Sequence, residues 1–273
     1  MKGSDDMPPD LSEEKKLVYE YWNKNPCGSD LSSVAPYTKE YFDELEKIRY
    51  GRNREGYIWE FAQFAKYHGK KVLEIGIGVG TDFIQWVRSG CVATGCDLTP
   101  AAVEYTKKRL ECYGLSAGVL QEDCEKLSFP EQTFDLVYSF GVIHHTPEPQ
   151  KAISEIYRVL KRGGTAKIML YHRYSGPVFR YWINHALLKR DPFRSIDEIV
   201  AKYNSESPDT KIYSKKQARA LFEQFSRVNL YIQLTPWDYT DTPRLLLSRK
   251  LTNAFVRGLG NHYGWNLMIT AEK

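Results

Sequence analysis

The chain is 273 residues long with 42% hydrophobic and 26% charged residues, enough apolar material for one large α/β domain with additions or for two small domains. Its 38 basic and 34 acidic side chains leave a net charge of only +4, too small an excess to argue for a nucleic-acid partner. No stretch shows the pattern of a secretory leader or approaches the ~18 apolar residues of a membrane span, and five cysteines without a CxxC pair argue against a disulfide framework or a metal site and fit a reducing, cytoplasmic setting.

The first ten residues, rich in Asp, Pro and Met, read as a frayed end. Leu17, Val18, Tyr21 and Trp22 then recur at helical spacing, and the helix should close before Asn25-Pro26. A second helix is expected around Tyr41, Phe42, Leu45 and Ile48, and a third around Ile58, Phe61, Ala62 and Ala65, ended by His68-Gly69. Residues 1–69 therefore read as an N-terminal helical cover. From Lys70 the pattern changes to short apolar runs at Val72 to Ile75, Val92 to Cys96, Val119 to Gln121, Leu136 to Phe140 and Ala166 to Leu170. Amphipathic segments begin between them near Thr81, Thr99 and Pro149, the alternation of a doubly wound α/β fold with a parallel sheet. After Tyr171 the alternation pauses, and about 172–213 reads as a lid because it far exceeds an ordinary αβ loop. A helix near Ser214 to Phe225, a strand at Val228 to Leu234, a second lid at about 235–264 and a last strand at Asn266 to Thr270 complete residues 70–273.

Val72 to Thr81 is the most informative stretch. An apolar run ends in Glu74, and Gly76, Gly78 and Gly80 follow at alternate positions, so a buried strand should break into a turn whose backbone can press against a ligand. The spacing misses the dinucleotide fingerprint GxGxxG, since Thr81 stands where the third glycine would fall. Glu74 before the turn would repel a pyrophosphate and welcome an ammonium group. Asp97, at the end of the next run, is placed to accept both hydroxyls of an adenosine ribose, with capping of the helix that opens at Thr99 as the simpler role. Asp123, after the third run, could accept a hydrogen bond from an adenine amino group.

Glu-Ile-Gly-Ile-Gly-Val-Gly, Asp97-Leu98, Asp123-Cys124, Phe134 to Ser139, Gly141 to His145 and Leu160 to Gly164 together resemble class I S-adenosylmethionine-dependent methyltransferases, within the broad group that includes quinone and sugar methyltransferases. The resemblance is strong over about Lys70 to Met169. It implies a Rossmann-like, seven-stranded sheet whose final strand is antiparallel, and S-adenosylmethionine as cofactor with S-adenosylhomocysteine as product. It implies further that Glu74 and the turn Gly76, Gly78, Gly80, Thr81 meet the methionine part. Asp97 with Leu98 would meet the ribose, Asp123 with Cys124 the adenine, and Ser139, Phe140 and Gly141 the sulfonium. No metal is implied.

His144 and His145 close the fourth run at the crevice side of the sheet. An imidazole there suits removal of a proton from an oxygen nucleophile, as in related sugar methyltransferases, with ordering of the loop before Pro147 as the alternative. Tyr171, His172, Arg173 and Tyr174 close the fifth run on the same side, Tyr171 and His172 as catalytic candidates and Arg173 and Tyr174 as substrate contacts, Arg173 suiting a carboxylate or phosphate. Trp237 and Tyr239 in the second lid are further substrate candidates. In that lid Leu245, Leu246, Leu247, Leu251, Phe255, Val256 and Leu259 lie among Arg244, Arg249, Lys250 and Arg257, as on a basic amphipathic helix that packs on the domain or touches a membrane surface. The reading is a methyltransferase for a small-molecule acceptor. A lipid-like or quinone-like acceptor, or a cofactor-binding protein without turnover, is the alternative; a nucleic-acid substrate is disfavoured because no Asn-Pro-Pro-Tyr motif follows the fourth run.

Overall fold

The computed structural model describes residues 11–52, 57–204, 207, 210–241 and 249–273. One sheet contains β1 (Lys71–Ile75), β2 (Val92–Asp97), β3 (Gly118–Gln121), β4 (Phe134–Phe140), β5 (Leu160–Tyr171), β6 (Arg227–Gln233) and β7 (Asn266–Glu272). Its order is β3-β2-β1-β4-β5-β7-β6, and β7 runs antiparallel to both β5 and β6 while the other pairings are parallel. The order reverses beside β1, whose Glu74 is in register with Gly95 of β2 on one side and Tyr138 of β4 on the other. At such a switch point the carboxyl ends of the strands open a ligand crevice. β5 starts earlier than its apolar run because Leu160 pairs with Phe134 across a register shift.

Helices cover both faces of the sheet because its strands are apolar on both sides. On one face Ile153, Ile156 and Val159 of α6 (Pro149–Val159) and Ala218 of α9 (Lys215–Leu221) bury against Leu73, Val137, Ile168 and Ile269. On the other, Phe83, Ile84 and Trp86 of α4 (Phe83–Arg88) and Val103 and Leu110 of α5 (Pro100–Cys112) join Val72, Leu136, Tyr138 and Met268. Each such side chain contributes roughly 1.5–3 kcal/mol on burial. Thr99 starts α5 by accepting the Ala102 N–H at 3.4 Å, with Pro100 in the first turn, and a reciprocal Ser214–Gln217 capping box starts α9.

The predicted N-terminal helices form as α1 (Glu13–Lys24), α2 (Lys39–Arg52) and α3 (Tyr57–Ala62). They differ in attachment. Tyr57, Ile58, Phe61 and Ala62 of α3 lie within the main core, so α3 is part of the domain body and not a separable cover. Lys167, buried in β5, donates to the carbonyls of Phe61 and Ala62 at 2.5 and 3.1 Å and so satisfies the end of α3.

The segment between β5 and α9 contains α7 (Gly176–His185) and α8 (Ile196–Tyr203), and that between β6 and β7 contains α10 (Pro236–Asp241) and α11 (Arg249–Gly258). Arg244, Leu245, Leu246 and Leu247 lie outside the described residues, as do residues 1–10. α11 packs through Thr252 and Val256 and leaves Leu251 and Phe255 exposed. Asp238, fully buried, accepts the backbone N–H of Gly176 at 3.1 Å, Thr235 at 2.8 Å and Trp265 at 3.0 Å. One carboxylate therefore ties the starts of α7, α10 and β7 together.

Candidate active site

The glycine turn leaves β1 as the sequence spacing requires. Gly76, Gly78 and Gly80 all have positive φ, and a Cβ on Gly76 would fall 2.2 Å from a Val142 methyl carbon. A side chain there would meet both left-handed strain and a clash. The Gly76 N–H donates to the Cys96 carbonyl at 2.7 Å, which locks the turn against β2. Thr81 is buried, and its carbonyl accepts the Tyr50 hydroxyl at 3.2 Å.

Asp97 faces this turn from β2. Its Oδ2 accepts the Gly78 N–H at 3.2 Å, and its Oδ1 accepts the Thr99 N–H and hydroxyl, each at 3.0 Å. Burial pushes its pKa up, while the bonds from Thr99 and Gly78 act in the opposite sense. The carboxylate thus orders both the turn and the start of α5. The neighbouring Leu98 carbonyl accepts the Gln121 amide at 3.1 Å.

Asp123 is already engaged by the protein. Its Oδ2 accepts Lys15 Nζ at 2.6 Å and its Oδ1 the Glu125 N–H at 2.9 Å; Lys15 also pairs with Glu125. The half-buried Cys124 thiol is pushed up to about 12 by desolvation and by Asp123 and Glu125, so it stays protonated. Ser139 donates to the Ile75 carbonyl at 3.0 Å, and the Gly141 N–H points at the Met169 carbonyl.

Residues from α1 reach three of these segments. Besides Lys15, Asn23 accepts the Ala101 N–H at 3.2 Å at the start of α5, and the Trp22 ring meets His145 edge-on with centroids 5.5 Å apart. Sequence patterning identified α1 but none of these contacts, because nothing local distinguishes the buried Lys15 from its half-buried neighbour Lys16.

A second buried network was also absent from the sequence reading. Asp82, one residue past the turn, accepts Arg49 Nε at 3.1 Å and Nη2 at 2.6 Å, together with the hydroxyls of Tyr50 and Tyr138, both at 3.1 Å. The Arg49 guanidinium lies 5.0 Å from the centroid of the Phe140 ring. Glu74 stands beside this pair and accepts Trp86 Nε1 at 2.8 Å. Burial first, then the Asp82 charge, raise the Glu74 pKa well above the usual carboxylate range. One of its oxygens therefore serves as Trp86's acceptor.

The histidines separate into three environments. His145 Nδ1 lies 3.1 Å from Thr210 Oγ1, which itself donates to the Ser207 carbonyl. That hydroxyl can only accept from the ring, so Nδ1 carries the His145 proton and Nε2 the lone pair. Burial and Lys211 push its pKa down to about 3. His144 is fully buried, and neither ring nitrogen has a hydrogen-bond partner. Its ring lies 3.8 Å from that of Tyr171, which stacks in turn on Trp265 at 3.9 Å. His172 Nδ1 sits 3.1 Å from the carbonyls of both Tyr174 and Gly264, so it must be the donor. Its Nδ1 latches β5 to the segment before β7, and this tautomer leaves the lone pair on Nε2.

The substrate candidates also move. Arg173 pairs through Nη2 with Asp197 of α8, while its buried Nε has no hydrogen-bond partner. Tyr174 and Trp237 are more than half exposed, at 57% and 52%, and do not line an enclosed pocket. Tyr239 is half-buried, with the Arg257 guanidinium 5.9 Å from its ring centroid. The rings at the crevice ends of β5 and β7 are Tyr171 and Trp265. Among the described residues no group of three or more His, Cys, Asp or Glu could hold a metal ion.

Buried neutral histidines make stability fall in acid. The His172 pKa is pushed down to about 4 by burial, below its unfolded value near 6.5. Between those values the unfolded chain holds the proton and the native chain does not, so stability is lost as pH falls below about 6.5, by roughly 1.4 kcal/mol per pH unit for one histidine. Buried carboxyl groups with raised pKa, Glu74 and Asp97, act in the opposite sense. Replacing His172 by Asn, which keeps an N–H donor, isolates the histidine: the drop in denaturant stability from pH 6.5 to 5 should be about 2 kcal/mol smaller than in the wild type. An unchanged slope would refute the assignment.

A doubly wound sheet with an antiparallel seventh strand, a glycine turn at its switch point and a carboxylate facing that turn give this chain the fold of the class I S-adenosylmethionine-dependent methyltransferases, to which it is similar. Residues 73–168 match the family model described as a methyltransferase domain. Phosphatidylethanolamine N-methyltransferase of Cereibacter sphaeroides is 25% identical over 178 residues, 64% of this chain and 79% of that protein. Demethylmenaquinone methyltransferase of Streptomyces avermitilis is 30% identical over 152 residues, 55% of this chain and 61% of that protein. The crystal structure of geranyl diphosphate C-methyltransferase from Streptomyces coelicolor shares the fold, with a TM-score of 0.60, 13% identity and coverage of 96% of this chain and 98% of that one. The residues fit the class cofactor: Asp97 is held as an acceptor at the switch point, and the turn has no Cβ at Gly76, Gly78 or Gly80.

Proposed function

We propose that this protein transfers a methyl group to an oxygen of a largely apolar, hydroxyl-bearing small molecule of the quinol type, with His144 as the base. The observation that carries the reading is the imidazole of His144, fully buried with both ring nitrogens unpartnered. A buried polar group left without a hydrogen bond costs about 1–3 kcal/mol, and such a group in a ligand crevice is accounted for if an acceptor hydroxyl completes it. Relatives named for quinone and phospholipid acceptors, such as demethylmenaquinone and phosphatidylethanolamine methyltransferases, support an acceptor with an apolar body. The Tyr171 and Trp265 rings beside His144 suit the same body.

S-adenosylmethionine supplies, when bound, a methyl group on a sulfonium whose departure leaves a neutral thioether. Asp97 would hold the ribose hydroxyls, Asp123 and Cys124 the adenine edge, and Arg49 the amino-acid carboxylate beside the glycine turn. Positioning and exclusion of water then provide much of the rate, and His144 removes the proton from the acceptor hydroxyl as the new bond forms. Burial and the neighbouring His145 hold the His144 pKa well below 6.5, so the ring is neutral at pH 7. The rate should therefore stay flat as pH falls from 8 to 6.5.

Release of S-adenosylhomocysteine in the presence of a panel of demethylated quinols, catechols and phospholipid headgroups tests the acceptor. His144→Phe should lower kcat by roughly 10²–10⁴-fold while cofactor affinity is kept. His145→Phe should cost less. A His144→Phe enzyme within threefold of wild type would remove the base assignment, and the absence of turnover on every hydroxyl acceptor would remove the oxygen reading.

A further inference from the structure

We propose that the loop of residues 187–194, between α7 and α8, docks this protein on the surface of an anionic lipid bilayer. The loop presents Leu187 at 46%, Leu188 at 69% and Phe193 at 97% exposure, and Phe193 is the most exposed large hydrophobic side chain among the described residues. Lys189 and Arg190 stand between these tips, both exposed, and neither forms an ion pair among the described residues. Arg194 follows directly, so three cations accompany one acid, Asp191.

The loop is held in shape from within. The Asp191 and Lys189 N–H groups both donate to the Ala186 carbonyl, at 3.0 and 3.1 Å, and Trp182 Nε1 donates to the Pro192 carbonyl at 3.2 Å. Its apolar tips are therefore projected by a built turn anchored on α7, with little ordering left to do on binding.

Charge decides between a membrane and another protein as the occupant. The core of a protein interface is depleted of charge, and burying Lys189 and Arg190 among apolar side chains would desolvate two cations with only Asp191 of the loop to offset them. At a bilayer surface the same alternation is favourable. Leucine and phenylalanine tips enter the boundary between headgroups and acyl chains, while flanking lysine and arginine reach lipid phosphates. A cation near an anionic membrane surface gains about 1 kcal/mol, a factor of roughly five in binding. A protruding tip also suits insertion by a few ångströms better than it suits a flat interface.

The test is co-sedimentation of the full chain, without substrate, with vesicles of equal phosphatidylglycerol and phosphatidylcholine or of phosphatidylcholine alone. Wild type should partition onto the anionic vesicles and be displaced by salt. K189A/R190A should bind roughly 25-fold more weakly, and L188D/F193D, which keeps all three cations, should lose more than tenfold. Both variants alter only exposed side chains, so melting midpoints should stay within about 2 °C of wild type. The reading is independent of the acceptor, because binding is scored without turnover. Wild type left in the supernatant with both vesicle types, or L188D/F193D binding as well as wild type, overturns the proposal. So does a wild-type dimer that F193D splits, which would make this face a contact between copies.

Discussion

Asp97→Ala is expected to weaken S-adenosylmethionine binding at least 100-fold, measured by titration calorimetry on the folded protein. Two losses combine. Hydrogen bonds to a buried carboxylate contribute about 1.5–3 kcal/mol each, and the ribose would lose its acceptor. The Gly78 N–H and the Thr99 N–H and hydroxyl would lose theirs at the same time, so the glycine turn and the start of α5 would no longer be held for the ligand. Asp97→Asn should fall between alanine and wild type, because its amide keeps one acceptor oxygen but presents an NH₂ where an acceptor is needed. Unchanged affinity in the alanine variant would restrict Asp97 to its capping role.

The second large effect is expected at Asp82. Its carboxylate accepts from Arg49, Tyr50 and Tyr138 while 5% exposed, so Asp82→Ala strands a half-buried guanidinium, the half-buried Tyr50 hydroxyl and the buried Tyr138 hydroxyl. Breaking a buried pair by removing one partner typically costs about 3–5 kcal/mol. In a chain of this size that corresponds to a fall in melting midpoint of about 10 °C. Cofactor affinity should fall with it, since Arg49 is held beside the turn by Asp82. The double variant Arg49→Met/Asp82→Leu removes both charges and should recover most of the stability but none of the affinity. A double variant that bound cofactor as well as wild type would show that the network only supports the fold.

The elements that were legible in the sequence are those whose signal is local. The five parallel strand runs, the helix starts at Thr99 and Ser214, and the glycine turn announce themselves by periodicity, capping chemistry and a conformation that side chains disfavour. The same locality explains the family resemblance, which rests on short motifs that each close one strand. Side-chain roles were less legible. His144, His145 and His172 look alike as residues near strand ends, yet one ring is unpartnered, one is oriented by Thr210 and one is bound to two carbonyls. Nothing near Arg173 in sequence announces its pairing with Asp197 of α8.

By itself, then, the order of residues determined the doubly wound fold, the place of the glycine turn and the acid that faces it, because backbone conformation and strand burial depend on neighbours a few positions away. Tertiary structure alone decided which polar groups are already satisfied. Lys15 reaches Asp123 across 108 positions, and Arg49 reaches Asp82 across 33. Whether a titratable group is available for chemistry depends on partners brought together by packing, and no spacing along the chain records them.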